Sequence, residues 1–574
     1  MDLSLLSPLD YYVKEGKEAH KKNAKDYFDN LFRQSKVNRE ENIKTCNEYR
    51  AQLKIVDGLK KKLNLFKALR ILCIVFAVLG IVGFALAVSE PELIAITVIG
   101  AVLAVGCILM IFLWLNKRIK HFDEKYSATA KVAADLLAEA QRQIAPLLAL
   151  FDDRDTFRLL EKTLPQLKLD YNFTPERLFQ LQDKYDFGDG PIDENSSAID
   201  TLSGTLINNP FVFQRYRYTY MGQYTYRGSL VIRWTTTYRD SQGKVRTRTH
   251  TQTLHASLVK PKPCYKVRTV LSYGNQAAPD LSFSRKVSYT NELNDGQIER
   301  KIEKGEKKLA KKARKALVKG GSFTEMSNSE FDVLFGAVDR DHEQQFRVLF
   351  TPLAQTGMVD LIRSDDGYGD DFAFVKSKRI NHICSDHAQR WHMDTSPSNY
   401  ATYDVEECER KFISFNEEYF KSVFFDFAPL LTIPAYQHSP VPSMEAPERS
   451  ANFTEREYEV MANRLGTDNF AHVNSITDTI LKTTCLSSTD EFDSVRVTAY
   501  SYGGINRTDF VSVLGGDGRF HAVPVHWVEY YPLTRDSGMT VRRTDMSSSQ
   551  YASSADADPS TAVFHGLMAT LDGQ

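Results

Sequence analysis

Two uncharged apolar runs near the N-terminus constrain this chain more than any other feature of its sequence. Residues 71–88 and 93–115 contain no charged side chain, and only Ser-Glu-Pro-Glu separates them. A helix needs roughly 20 mostly apolar residues to cross a hydrocarbon core of about 30 Å. The two runs therefore predict a transmembrane helical hairpin with spans at about 69–88 and 93–115.

The charges around these runs predict their orientation, because short basic segments stay on the cytoplasmic side of a membrane. We therefore expect a cell-membrane protein (inner or plasma membrane) with two spans and both termini in the cytoplasm. The alternative is a hairpin buried in a soluble core. The glycines of the apolar runs would permit close helix packing, which a homo-oligomer formed through the hairpin or its stalk would need. They are Gly80, Gly83, Gly100 and Gly106. The flanking basic residues are Lys60, Lys61, Lys62, Lys67, Arg70, Lys117, Arg118 and Lys120.

The rest of the sequence predicts an α+β membrane protein of several parts. An N-terminal helical stalk carries the transmembrane hairpin, and an antiparallel β meander and a mixed α+β cytoplasmic region follow. The net charge of -1 gives no global field, and the seven scattered cysteines without CxxC fit a reducing compartment. We predict these segments: 1–66 helical, 67–120 hairpin, 121–187 stalk or connector, 199–298 basic β region, 299–319 basic helix, 320–433 α+β, 434–450 Pro-rich linker, 451–532 helix and β hairpin, 533–574 mostly disordered.

The strongest charge anomaly lies between Arg215 and Arg268, where twelve basic residues face a single acid, Asp240. Aromatic and β-branched residues alternate with the basic ones, and Gly222, Gly228 and the 240–243 turn divide the stretch into short strands. Such a face suits anionic lipid headgroups or nucleic acid, and the bland interpretation is a solvated sheet face. The candidate anion-binding residues are Arg215, Arg217, Tyr218, Arg233, Trp234, Arg246 and Arg248, with Tyr216 beside them.

Residues 299–319 predict a helix in which ten of 21 residues are lysine or arginine. Leu309, Ala313, Ala316 and Leu317 give it a thin apolar stripe. A basic amphipathic helix can lie on a membrane surface, but this stripe is narrow. We therefore interpret the segment as a solvated surface helix.

Residues 320–433 carry a family resemblance. Ser327-x-x-Glu330 has the spacing of a capping box, a helix follows around Gln344, and Leu-Phe-Thr-Pro ends at Pro352. These motifs resemble an uncharacterised bacterial domain family that follows a membrane hairpin. The resemblance implies a bacterial membrane-associated protein and brings no catalytic residue with it.

The chemistry-bearing residues of the same region form no standard motif. His382, Cys384, His387 and His392 offer four metal ligands, but their spacing matches no zinc pattern. An enzyme using Cys384 with a histidine, or a metal, is the rival interpretation. Two Asp-Asp pairs around Gly367-Tyr-Gly369 are typical of a polar turn rather than a cation loop. We assign no catalytic residue and no cofactor.

The sequence therefore predicts a membrane-anchored scaffolding or binding protein. Its partners would be the lipid bilayer and an anionic ligand, either lipid headgroups or nucleic acid. A membrane-tethered nucleic-acid sensor is the alternative.

Overall fold

The computed structural model describes residues 3–87, 94–390, 393–437, 453–552, 554 and 557–572. The chain divides into two compact units, residues 25–151 with 398–414 and residues 1–24 with 152–397 and 415–574. The predicted α+β class with antiparallel sheets is confirmed.

The helices of the described residues follow one another in this order: α1 (Pro8–Tyr11), α2 (Lys17–Ser35), α3 (Arg39–Ala87), α4 (Ile94–Met110), α5 (Asn116–Leu148), α6 (Asp155–Thr163), α7 (Pro175–Tyr185), α8 (Asp295–Lys319), α9 (Ser329–Phe335), α10 (Glu343–Leu349), α11 (Pro352–Arg363), α12 (Asp386–Arg390), α13 (Val405–Leu431), α14 (Glu455–Leu465), α15 (Thr467–Phe470) and α16 (Ser548–Ala552). A π-helical turn, Ile111–Leu115, joins α4 to α5.

The strands form two antiparallel sheets. In sheet A the order is β1-β2-β3-β4-β7-β6-β5, and in sheet B it is β11-β12-β10-β9-β8. The strands are β1 (Leu167–Leu169), β2 (Ser196–Leu206), β3 (Asn209–Arg239), β4 (Val245–Gly274), β5 (Ser282–Arg285), β6 (Phe372–Ser377), β7 (Ile380–Ser385), β8 (Ile480–Ser488), β9 (Asp493–Leu514), β10 (Phe520–Arg543), β11 (Thr561–Phe564) and β12 (Leu567–Leu571).

The helical unit is built on the antiparallel pair α3 and α5. Asn42 Nδ2 of α3 donates to the carbonyl of Ala140 at 3.3 Å, and Phe66 stacks on Phe122 with ring centroids 5.3 Å apart. Gly80 and Gly100 meet where α3 passes α4, and a Cβ on Gly80 would lie 2.6 Å from the Gly100 oxygen. Gly80 and Gly100 thus serve packing within the hairpin, whereas a Cβ on Gly106 would meet nothing within 4 Å.

The apolar runs are mostly uncovered in this structure. Both helices are long and apolar enough to cross a membrane, and only 17% and 11% of the residues in their apolar windows are buried. Ile71, Leu79, Val102 and Phe112 are each about 60–70% exposed. A soluble core would bury such side chains, since each removes apolar surface from water. Among the described residues, the apolar windows of these helices are therefore not buried inside the fold.

The β-rich unit buries its core between sheets and helices. Phe211 and Phe213 of β3 pack edge-on against Phe427 of α13, with ring centroids 4.9 and 5.3 Å apart. Tyr458 and Met461 of α14 lie in the core of sheet B. Antiparallel sheets of this kind need only one covered face.

The region predicted as a meander of short strands is instead one long hairpin. β3 and β4 pair without interruption from Phe211 opposite Tyr273 to Arg239 opposite Val245. β2 accompanies β3 only as far as Tyr218, so residues 219–265 form a two-stranded ribbon, here ribbon 1. β9 and β10 form a second one, ribbon 2 (501–533), beyond their pairing with β8 and β12. The two ribbons pack face to face through Ile232, Leu254, Ala256, Val523 and Val525.

The residues expected to break these strands have another role. A Cβ on Gly228 would lie 2.0 Å from the carbonyl oxygen of Pro524, so glycine lets ribbon 2 approach. Pro261 and Pro263 lie within β4, opposite Gln223 and Met221. A two-stranded ribbon has open edges on both sides, where a missing N–H costs no ladder hydrogen bond.

Two further predictions differ from the structure. The tail expected to be mostly disordered contains α16, β11 and β12, and β12 extends sheet B by pairing with β10. Phe564, Leu567 and Ala569 are buried in the core of sheet B. The cap of α9 is Asn328, whose Oδ1 accepts from the Phe331 N–H at 3.1 Å, and not the predicted Ser327. Most of the predicted Pro-rich linker lies outside the described residues.

Candidate functional site

The first predicted anion-binding residues lie within sheet A. Arg215 is half-buried, and its Nη1 donates to Thr269 Oγ1 and to the carbonyl of Ala388, both at 3.4 Å. Burial lowers the pKa of this guanidinium. Arg217 Nη1 reaches the carbonyl of Thr479 at 3.5 Å. These arginines hold neighbouring segments together.

The predicted stacking residues are also packed. Tyr216 is buried in a small apolar cluster, and Tyr218 packs on the same cluster. Trp234 faces ribbon 2 and stacks on His250 with ring centroids 5.2 Å apart. A base could stack on Trp234 only by displacing these contacts.

The register places the predicted arginines on opposite faces. Arg246 lies opposite Tyr238 and Arg248 opposite Thr236, so both share the face of Trp234. Arg215, Arg217 and Arg233 have the other parity along β3 and project from the opposite face. Arg215 and Arg246 are separated by about 75 Å of strand, at about 3.3 Å per residue. The seven residues therefore do not make one surface.

The far end of the β3–β4 hairpin, residues 235–249, keeps the basic character. The turn of ribbon 2 reaches Gln252, whose Oε1 accepts from the Gly516 N–H at 2.7 Å. Residues 235–249 extend beyond Trp234, and all except Asp240 are exposed. We call this segment the hairpin end. Its charged residues are Arg239, Lys244, Arg246, Arg248 and the acid Asp240, which pairs with Arg246 at 2.8 Å.

The predicted metal ligands point to different partners. His382 Nδ1 lies 2.9 Å from Ser272 Oγ, and burial lowers the pKa of His382 to about 4. Cys384 contacts Gln389, and burial raises the pKa of its thiol, which disfavours a nucleophilic thiolate. His392 lies outside the described residues. Within the residues described, no three His, Cys, Asp or Glu side chains form a group that could hold a metal ion.

His387 instead occupies a buried polar cluster that the sequence did not predict. Its Nδ1 lies 2.8 Å from Asp371 Oδ2, and its Nε2 faces the Ser422 carbonyl at 3.1 Å and Asp426 Oδ1 at 3.5 Å. The Tyr368 ring stacks on the imidazole at 3.9 Å. Burial opposes the imidazolium, but Asp426 and Asp371 outweigh it and raise the pKa of His387. This arrangement favours a charged histidine whose two nitrogens are both engaged.

A cavity of about 300 Å³ adjoins this cluster. Tyr289, Asn291, Tyr368, His387 and Arg390 are among the residues that line it. The sequence singled out His387 and the Asp370-Asp371 pair separately, as metal ligand and polar turn. Asp426 lies in the aromatic helix α13, and no sequence pattern around it predicted a functional role. The fold of three distant segments brings these groups together.

The burial of Asp426 predicts a pH dependence of stability. Burial raises the pKa of Asp426 from 3.8 to about 6. Between these values the folded protein keeps a proton that the unfolded chain has lost, so the free energy of unfolding falls as pH rises. That change in pKa corresponds to about 3 kcal/mol. We expect Asp426→Asn to flatten the fall of the melting temperature between pH 4 and pH 6.5.

Thermal unfolding in detergent across this pH range measures the effect. The amide oxygen of Asp426→Asn can still accept the Ser385 Oγ–H, which lies 2.6 Å from the carboxylate. Asp365→Asn, in an exposed turn, is the control and should keep the wild-type slope. Equal slopes for wild type and Asp426→Asn would contradict the prediction.

Comparisons of the chain with protein-family models, with curated proteins and with solved structures find no match. The geometry described above therefore carries the functional argument alone.

Proposed function

We propose that this chain is a membrane-anchored binding protein whose hairpin end binds an anionic partner. The observation that carries the proposal is the exposure of residues 235–249, which bear four basic side chains and one acid beyond the contact with ribbon 2. A sheet face whose only role is to be solvated does not need this excess of one charge sign. The excess charge supports an interaction through phosphate or carboxylate groups.

The anchor in this proposal is the hairpin of α3 and α4 in the cell membrane, with both termini cytoplasmic. The exposed apolar helices support insertion, and the basic residues on both flanks support the orientation. Arg118 lies over the Trp114 ring at 5.8 Å, a pairing typical of the membrane–water interface. Association with a second copy of the chain remains a prediction. Gly80 and Gly100, which would suit a contact between copies, already pack on each other within one chain.

Charge rather than base stacking would drive the binding. Trp234 is packed between His250 and ribbon 2, and Tyr238 is the exposed aromatic residue of the hairpin end. Nucleic-acid binding proteins without sequence preference rely on several stacked rings in a basic groove. This disfavours the nucleic-acid sensor and favours anionic headgroups as the partner.

A binding experiment with the full chain in neutral phosphatidylcholine nanodiscs tests the proposal. Vesicles containing phosphatidylglycerol and a fluorescent single-stranded DNA are titrated separately across a salt series. We expect vesicle binding that weakens steeply with salt. Arg246→Gln with Arg248→Gln should weaken it by about tenfold, because each basic residue near an anionic surface contributes about 1 kcal/mol and Arg246 is partly neutralised by Asp240.

The matched control is Arg496→Gln with Arg507→Gln, two exposed arginines of β9. It should bind like wild type. Tight binding of the DNA, with a salt slope reduced by about 1.4 in the Arg246/Arg248 variant, would instead favour the nucleic-acid alternative. Loss of binding in both variants, or in neither, would overturn the assignment of the hairpin end.

A further inference from the structure

The first half of helix α8 is held firmly against its surroundings. Asn294 and Gln297 form a reciprocal capping box at its N-terminus. Lys301 Nζ donates to Ser288 Oγ at 2.8 Å and to Thr290 Oγ1 at 2.7 Å. A Cβ on Gly305 would lie 2.4 Å from Val333 of α9, so the two helices are in close contact.

Most of the apolar stripe predicted from the sequence is covered within the fold, and Leu317 is its exposed member. Leu309 is buried, and Ala313 and Ala316 are partly covered. Lys312 Nζ, next on this side, lies 4.3 Å from the Phe323 ring centroid and donates to the Val338 carbonyl. The side chains on the buried side of α8 thus find their contacts within the protein.

The last turn of α8 carries an apolar pair that nothing in the described residues covers. Leu317 is 82% exposed and Val318 is 86% exposed. Residues 307–319 contain seven basic residues and no acid. Lys311, Arg314, Lys315 and Val318 follow the i, i+3, i+4, i+7 spacing and therefore share one face, and all four are exposed.

The helix also ends in a way that presents this pair. Gly320 has φ +70° and its N–H donates to the Ala316 and Leu317 carbonyls. The Gly321 N–H donates to the Ala316 carbonyl at 2.8 Å. This glycine cap stops α8 directly after Val318 and Lys319, so the two apolar side chains lie at its tip.

We propose that the C-terminal end of α8 docks on an anionic lipid leaflet, with Leu317 and Val318 entering the headgroup boundary and the surrounding basic side chains contacting phosphates. The proposal rests on the membrane anchor of the proposed function, because a tethered surface meets its own bilayer at high effective concentration. Lysine and arginine stems lie along apolar surface while their charges stay in water. This combination of apolar tip and basic rim is characteristic of interfacial helices.

A lipid surface explains the pair better than a polyanion does. Nucleic acid would engage the basic side chains but would leave Leu317 and Val318 in water. An apolar protein groove would bury the pair but would offer no negative charge to the seven basic residues around it. Only a leaflet offers both a negatively charged plane and adjacent hydrocarbon.

Photo-crosslinking of the full chain in nanodiscs tests this docking. A benzoylphenylalanine replaces Val318 in one sample and Val473 in another. Val473 is the matched control because it is 88% exposed and has no lysine or arginine within eight positions in sequence. In discs containing 30% phosphatidylglycerol we expect lipid adducts at position 318 at least about tenfold above those at 473. In pure phosphatidylcholine discs the excess at 318 should disappear.

A charge-reversed variant, Lys311→Glu with Arg314→Glu and Lys315→Glu, should lose the adducts at 318. These side chains are exposed, and circular dichroism and thermal unfolding verify that the variant folds. Flotation of the discs reports separately whether the chain is anchored, so failure of the anchor is distinguishable from failure of the docking. Equal adduct yields at 318 and 473, or yields at 318 that are independent of charge, would overturn the proposal.

Discussion

Arg285→Ala is expected to destabilise the β-rich unit by about 3–5 kcal/mol, because it leaves a buried carboxylate without its counter-charge. The side chains of Arg285 and Asp370 are both fully buried. The Arg285 guanidinium donates to Asp370 Oδ1 and to the Phe372 carbonyl, and it lies 3.9 Å above the Phe372 ring. The pair joins β5 to the segment that precedes β6.

The remaining contacts of Asp370 make the loss severe. Its Oδ2 accepts from Ser288 Oγ at 2.7 Å and from the Thr290 N–H at 3.0 Å. Removing the arginine leaves these neutral donors around a buried acid whose counter-charge is gone. Burial by itself lowers the pKa of Arg285, and the Asp370 charge opposes that shift.

A double variant separates charge from packing. Arg285→Met with Asp370→Asn removes both charges and keeps most of the volume, and buried ion pairs replaced in this way are often neutral in stability. We expect it to recover most of the loss seen for Arg285→Ala in urea denaturation at constant m-value. Arg507→Ala, an exposed arginine paired with Glu529, should change stability by less than about 1 kcal/mol. A small effect of Arg285→Ala would contradict the prediction.

Removal of the apolar hairpin is expected to release the protein from membranes on carbonate extraction. Replacing residues 71–115 by a short Gly/Ser linker deletes both apolar runs and keeps the rest of α3 and α5. The junction is favourable because Phe66 and Phe122 already stack at 5.3 Å and Lys67 Nζ lies 3.9 Å from Asp123. About four linker residues span the 8–10 Å between packed helices.

Membrane fractionation with carbonate extraction measures this result. Wild type should remain in the pellet, and the deletion variant should be soluble with an unchanged unfolding transition for the β-rich unit. Leu79→Ala with Leu103→Ala, which keeps the runs apolar, is the control and should stay in the pellet. Carbonate release of wild type, or retention of the deletion variant, would contradict insertion of the hairpin.

Local patterns predicted the elements whose formation depends on near neighbours. The two apolar helices, the basic helix at 299–319 and the β hairpin of the 451–532 segment are all present. Each depends on hydrophobic period, helix propensity or turn residues within about 20 positions. The error at Ser327 was small, because the adjacent Asn328 offers the same capping chemistry.

The candidate sites were predictable only in part. The excess of basic residues between Arg215 and Arg268 was visible in the sequence, but their division between two faces follows from the uninterrupted register of β3 and β4. The sequence also identified the basic residues of α8. It did not show that Leu309 would be buried against the fold while Val318 stays exposed.

The sequence by itself determined that this chain has an apolar helical hairpin, because uncharged apolar runs of 18 and 23 residues admit few other structures. It also determined the α+β character of the rest. Only the tertiary structure decided the role of Gly228 and the environment of His387. From the sequence, Gly228 predicted a break between strands. The structure shows that it instead lets the backbone of Pro524 approach. His387 reads as a metal ligand until Asp371 and Asp426 are seen to surround it. The physical reason is that both roles depend on contacts between residues far apart in the chain.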